Sequence, residues 1–408
     1  MMQLTTLANG LKVASREMPG IETAAVGLYA ETGSRREPAR LSGLAHLYEH
    51  MVFKGAGGRS AREISEAIED VGGDLNAATD REATSFMASV MAEHVPLGLE
   101  LIADMILRPH FTPADLDREK QVVMQELGEA RDTPSDIIFD DLQAVAFDDQ
   151  PLGRSILGHE ESIAAIGIDD LHQWRSEQYV AGSVSLVAAG KINHGQLVEW
   201  AEKHFGELPA GRLNEVESAR FTGGTRVGRT VSDQAHFALG LPAPPQLADD
   251  FYAARLFADV LGGGMSSRLF QQLREERGLA YTVYAMLFPF RDVGLLSIYA
   301  ATAQHEALAA AQLVEEVIED CAGTLTQREV DRVRTQARAG LLMSMESPWG
   351  QGHYVARQLI LHGRLVDPAE VLADLEAVTL EQVQAAGLAM LSGLRARATI
   401  GFPALRAA

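Results

Sequence analysis

The feature that most narrows what this chain can become is a weak internal repeat. Ser60-Ala-Arg-Glu-Ile and Ser266-Ser-Arg-Leu-Phe align at a shift of 206 residues, and the same shift carries Gly72 onto Gly278. At a shift of 214, Thr112-Pro-Ala-Asp-Leu-Asp-Arg aligns with Thr326-Gln-Arg-Glu-Val-Asp-Arg, and Pro134 falls on Pro348. The difference between the two shifts corresponds to one loop insertion. A repeat of this length implies two similar lobes of about 200 residues each, a normal domain size. It puts the first lobe at residues 1–215 and the second at 216–408, joined near residues 206–228, where Pro, Gly and charged residues concentrate. A single core for all 408 residues exceeds what one domain usually buries.

Hydrophobic periodicity fills in the first lobe. Apolar alternation predicts strands near residues 11–15 and 23–30, followed by helical periodicity over 41–53. Ser60 and Glu63 form a capping signature for a helix that ends near Gly72 and Gly73. Short strands at 74–78 and 84–90 follow, then helices over 95–107 and 112–130, the second with Pro113 in its first turn. A further helix follows Pro134, a strand covers 183–189, and a helix over 194–204 closes the lobe. Helices and strands mixed without strict βαβ alternation predict an α+β class, with each lobe a mixed or antiparallel sheet packed against helices.

The sharpest chemical signal is His46-Leu-Tyr-Glu-His50. On a helix, positions i, i+3 and i+4 share a face, so His46, Glu49 and His50 point the same way. Two imidazoles one turn apart can hold a zinc ion, with the carboxylate between them free to take a proton from water; this order is the inverted zinc-peptidase motif. Catalytic zinc usually takes three protein ligands. Glu119 and Glu126, seven residues apart on one face of a later helix, are both candidates for the third. At the shift of 214 they fall on Val333 and Gly340, and no second His-x-x-Glu-His occurs, so metal chemistry is expected in the first lobe alone.

Charge and composition exclude other classes. The net charge of −21 repels nucleic-acid phosphates and anionic membranes and attracts basic partners. No apolar run approaches the roughly 18 residues of a membrane span. Cys321 is the sole cysteine, so no intrachain disulfide exists, and the opening MMQLTTLANGLKV lacks a secretion signal; both point to the cytoplasm. Gly262-Gly-Gly-Met-Ser-Ser lacks the lysine of a phosphate loop, and no Gly-x-Ser-x-Gly turn offers a serine nucleophile.

Four segments carry a resemblance: Gly43-Leu-Ala-His-Leu-Tyr-Glu-His-Met-Val-Phe-Lys-Gly55, Gly73-Asp-Leu-Asn-Ala77, Val123-Met-Gln-Glu-Leu127 and Arg274-Glu-Glu-Arg-Gly-Leu-Ala-Tyr281. On these the chain resembles the pitrilysin and insulin-degrading-enzyme family of zinc peptidases, in its mitochondrial-processing-peptidase beta-like branch of half-length subunits, over essentially its whole length. The resemblance implies one zinc ion per active site, with His46, His50 and Glu126 as ligands and Glu49 as general base. It makes Glu119 an outer carboxylate that orients a ligand imidazole. It places substrate as an added strand beside Asn76, Ala77 and Ala78. Arg274 and Tyr281 match a pair that reaches the substrate near the scissile carbonyl, where a cation and a phenol suit a developing oxyanion.

Asp136 and Asp140, one helical turn apart, match acidic positions suited to a substrate arginine. The implied protein is a zinc-dependent endopeptidase for extended or unfolded, basic peptides, with facing lobes enclosing a chamber. A homodimer or a heterodimer with a related subunit is implied, with no nucleic-acid partner and no membrane span. The alternative within the family is a non-catalytic core or assembly subunit. Departures from the family pattern, at Ala45, Leu47 and Tyr48, concern packing beneath the helix rather than ligands or base.

Overall fold

Two mixed sheets, each covered by helices on both faces, organise the chain. The computed structural model describes residues 1–228 and 230–402. The first sheet contains β1 (Met2–Thr6), β2 (Lys12–Glu17), β3 (Thr23–Ala30), β6 (Asp74–Thr79), β7 (Thr84–Met91) and β8 (Val184–Gly190), and a separate two-stranded ribbon is formed by β4 (Gly55–Ala56) and β5 (Arg59–Ser60). Its strand order is β1-β2-β8-β3-β7-β6, antiparallel throughout except for the β2–β8 pair. The second sheet contains β9 (Gly224–Val227), β10 (Gln234–Ala243), β11 (Thr282–Pro289), β12 (Gly294–Ala303) and β13 (Ala396–Ile400), in the order β11-β12-β10-β13-β9, with β13 and β9 parallel.

Helices α1 (Leu44–Val52), α2 (Ala61–Glu69), α3 (Val95–Leu107), α4 (Pro113–Asp132) and α5 (Pro134–Ala146) follow the expected order closely. The Ser60 cap forms as a full capping box with Glu63, and the repeated glycines Gly72 and Gly278 both take the left-handed conformation, with φ +68 and +63. Equivalent capping pairs also recur: Thr112 bonds Asp115 at the start of α4, and Thr326 bonds Glu329 before the helix Gln327–Ser344.

Strand β3 is buried along nearly its whole length rather than at alternate residues. The reason is that both faces of the first sheet are covered. Ala24, Val26 and Leu28 belong to the core that includes α3 residues Leu99, Ile102 and Ile106, whereas Tyr29, on the opposite face, meets His353 of the helix Pro348–His362 edge to face. The second sheet is built alike. Phe237, Leu239 and Leu241 of β10 pack with the helix Phe251–Gly262, while Ala238 packs with Ile138 and Leu142 of α5.

This covering redraws the domain plan. One compact unit comprises Met1–Leu127, Ser155–Glu217 and Leu341–Asp367; the other comprises Gly128–Arg154, Ser218–Gly340 and the chain from Pro368 on. The units therefore do not coincide with the continuous stretches 1–215 and 216–408. The helices that begin at the repeat-related Pro134 and Pro348 are exchanged: each packs in the unit built mainly from the other half of the sequence. Apolar periodicity shows that a helix must be buried, but not which sheet will bury it. One unit boundary falls at Glu217, within a stretch lacking regular structure. Among the described residues no helix is long and apolar enough to cross a membrane.

Candidate metal centre

Helix α1 starts abruptly, and its start is held from outside. Gly43 at its N-cap has φ +94, and a Cβ there would stand 2.5 Å from Ile163 Cδ1, so both conformation and space call for glycine. Glycine offers no capping side chain. Glu37, 4% exposed, replaces it: its carboxylate accepts the N–H groups of Gly43 at 2.9 Å and Ala45 at 2.7 Å. Nothing in the local spacing marks Glu37 as the cap, since it lies outside the usual capping interval.

One face of α1 is buried through Leu44, Ala45, Leu47, Tyr48, Met51 and Val52. Tyr48 stacks on Tyr179 with ring centroids 4.9 Å apart. The three positions that depart from the family pattern therefore lie in the packing beneath the helix. The other face presents His46, Glu49 and His50.

The imidazoles of His46 and His50 are 4.6 Å apart between centroids, and both turn Nε2 toward the same oxygen of Glu126, at 3.8 and 3.7 Å. One ligand atom from each of these three residues lies within 4.8 Å of the others. Ligands about 2.1 Å from a tetrahedral centre stand roughly 3.4 Å apart, so small side-chain adjustments let this donor set close on one ion. Burial, aided by the neighbouring His50, pushes the His46 pKa down to about 4, which keeps that imidazole neutral as a ligand must be. The donor set, two nitrogens and one carboxylate oxygen, fits zinc.

The structure separates the two candidate glutamates. Glu126 joins the histidines; Glu119, only 2% exposed, lies behind them with Oε2 3.3 Å from His50 Nδ1 and Oε1 2.9 Å from Lys54 Nζ. Glu49 accepts a hydrogen bond of 2.5 Å from the Thr79 hydroxyl. Burial raises the Glu49 pKa above the usual carboxylate value; the Thr79 bonds and His50 act against that rise, and Glu126 adds to it. Thr79 was not singled out from the sequence, because only the pairing of β6 brings it under α1.

Strand β6 is an edge, paired only with β7. The Asp80 N–H bonds the Ala83 carbonyl at 2.8 Å, and counting the antiparallel alternation from that pair directs the N–H groups of Thr79 and Ala77 away from β7. The Ala77 N–H meets the side chain of its neighbour, Asn76 Oδ1, at 2.8 Å. Of the three expected strand positions, Ala77 thus offers the outward donor, and Asn76 and Ala78 direct theirs toward β7.

The remaining expected residues belong to the second unit. Arg274 lies on a π-helical segment, Phe270–Glu276, with its guanidinium 4.9 Å from the Phe270 ring centroid and 5.9 Å from that of Tyr281. Arg274 and Tyr281 are therefore adjacent, and Tyr281 is 78% exposed. Asp136 and Asp140 lie on α5; Asp136 contributes to raising the pKa values of Tyr284 and Tyr299, for which burial is the larger cause.

Known proteins resemble this chain over nearly its whole length. A family model described as insulinase, peptidase family M16, matches residues 12–160, and one described as the peptidase M16 inactive domain matches residues 165–337. An uncharacterized zinc protease of Mycobacterium leprae is 33% identical over 97% of this chain and 91% of its own length. The uncharacterized zinc protease YmxG of Bacillus subtilis is 34% identical over 94% of both chains. Mitochondrial-processing peptidase subunit beta of Lentinula edodes is 31% identical over 94% of this chain and 86% of its own. A protease from Helicobacter pylori superposes with a TM-score of 0.91 at 21% identity, covering 99% of both chains. With relatives this similar over nearly the whole length, the chain belongs to the M16 family of peptidases.

Proposed function

We infer that this chain is a zinc endopeptidase that cleaves extended or unfolded, basic peptides. The observation that carries the reading is the convergence of His46, His50 and Glu126 on one point, with Glu49 beside them on the same helix face. His46, His50 and Glu126 would hold a zinc ion, which would supply Lewis acidity toward a peptide carbonyl and an attacking water. Glu49 accepts a proton from that water and returns it to the leaving amine, while Thr79 fixes one of its oxygens. The open edge of β6 aligns an extended peptide through Ala77, a mode that reads main chain rather than side chains. Arg274 and Tyr281 steady the substrate carbonyl. Asp136 and Asp140 favour a substrate arginine, and the net charge of −21 favours basic peptides generally. The reading includes a cytoplasmic location and a pair of subunits, either two copies of this chain or this chain with a related one; the processing-peptidase subunit among its relatives supports the second form.

A second reading is a non-catalytic subunit, favoured by the inactive-domain match over residues 165–337. That match covers the half in which no His-x-x-Glu-His recurs, whereas the donor set lies in the other half. Digestion of a basic peptide mixture with and without a chelator, for the native protein and for Glu49→Gln, separates the readings. Chelator-sensitive cleavage by the native protein, lost in a Glu49→Gln variant that still binds one zinc, is expected. A fully active variant refutes the base, and a native protein that cleaves nothing supports the scaffold.

A further inference from the structure

We propose that Lys54 is a positioning residue for the metal centre: it orients His50 through the buried carboxylate of Glu119. This rests on the zinc-site reading above and adds a residue to it.

Glu119 sits on α4 between buried Leu116 and Val123, and its side chain is 3% exposed. A carboxylate so enclosed depends on specific partners for both oxygens. Lys54 Nζ takes Oε1 at 2.9 Å, which leaves Oε2 aimed at His50 Nδ1, 3.3 Å away. Ionised, a carboxylate only accepts, so His50 presents Nδ1–H to it; the lone pair then lies on Nε2, the nitrogen facing Glu126 at 3.7 Å. The other imidazole has no such support: His46 Nδ1 is buried without a hydrogen-bond partner among the described residues. Of the two histidines, His50 is the one whose ring is fixed by the protein.

The backbone places Lys54 for this task. It lies two residues past the end of α1, where its N–H bonds the Met51 carbonyl at 3.1 Å. It is four residues after His50, so both reach α4 from the same side, where they divide the two oxygens of Glu119. The Lys54 side chain is 29% exposed and that of Glu119 3%, which distinguishes this pair from a solvent-exposed ion pair of little consequence. Without the ammonium, no other described residue holds Oε1, and the carboxylate is free to turn away from the imidazole.

The test is zinc affinity of the full chain, measured by competition with a chromogenic chelator, in a double-mutant cycle. Loss of an outer partner of a metal-bound imidazole weakens metal binding by about 10- to 100-fold. We expect that range for Lys54→Met and for Glu119→Gln, and a change of less than about threefold for Lys54→Arg, which keeps the cation. Because Lys54 acts through Glu119, the double variant binds zinc no more weakly than Glu119→Gln alone. Circular dichroism confirms that each variant is folded; if Lys54→Met is not, Lys54→Gln is read in its place. Native affinity in the lysine variant, or fully additive losses in the cycle, overturns the proposal while leaving the three ligands in place. A native protein that binds no zinc overturns the site itself.

Discussion

The hydroxyl of Thr79, the last residue of an edge strand, donates a hydrogen bond to Glu49, the carboxylate between the two histidines. The strand against which a peptide is proposed to align and the proposed proton acceptor are thus joined by one side chain. A hydrogen bond to a charged group contributes about 1.5–3 kcal/mol. Thr79→Val is expected to lower kcat by about tenfold or more while zinc content and KM change little. Thr79→Ser, which restores the hydroxyl, should recover most of the rate. Steady-state kinetics on zinc-loaded protein checks this, and an unaffected kcat in the valine variant removes Thr79 from the mechanism.

Ala77 tests the edge itself. Its N–H points away from β7, so proline at this position removes a donor from the open edge without breaking the ladder, and proline is tolerated at sheet edges. Ala77→Pro is expected to raise KM for peptides by about tenfold, roughly the loss of one main-chain hydrogen bond, with one zinc still bound. Equal KM values for native protein and variant would show that peptides do not align along β6.

Acid sensitivity in the second unit should centre on Glu329. Burial works to raise its pKa, but bonds from Arg268, at 2.8 and 3.0 Å, and from Thr326 outweigh burial and pull it down to about 2. A carboxylate with a depressed folded-state pKa stabilises the fold above its unfolded value, and that stabilisation is lost as pH falls from about 4.5 toward about 2. After allowance for solvent screening, Glu329→Gln is expected to cost about 1 kcal/mol at neutral pH. Melting curves at pH 7 and near pH 2 check this: the difference between native protein and variant should be present at the first and vanish at the second. A difference that is independent of pH would assign the role to packing alone.

Much of the site's frame is written in local spacing. The His46, Glu49 and His50 face follows from helical spacing alone, and the Ser60–Glu63 cap, the order of the main elements from β2 to α5 and the repeated positions Gly72 and Gly278 were legible from local rules, whereas β1 and the helices Glu160–Ala165 and Ile168–Gln178 were not. The legible features depend on interactions within a few residues, or on one face of one element, and such interactions are written in spacing. The other features depend on contacts between segments distant in the chain. Packing brought Glu126 rather than Glu119 to the histidines, a choice the resemblance implied but helical spacing left open, because it depends on how α4 is rotated against α1. It brought Thr79 and Glu37 to the metal-binding helix, and Glu119 to Lys54, where no sequence interval predicts a meeting. It sent α5 and the helix Pro348–His362 to exchanged units, because an apolar helix face fits any sheet with an uncovered side, and only the folded chain settles which sheet is within reach.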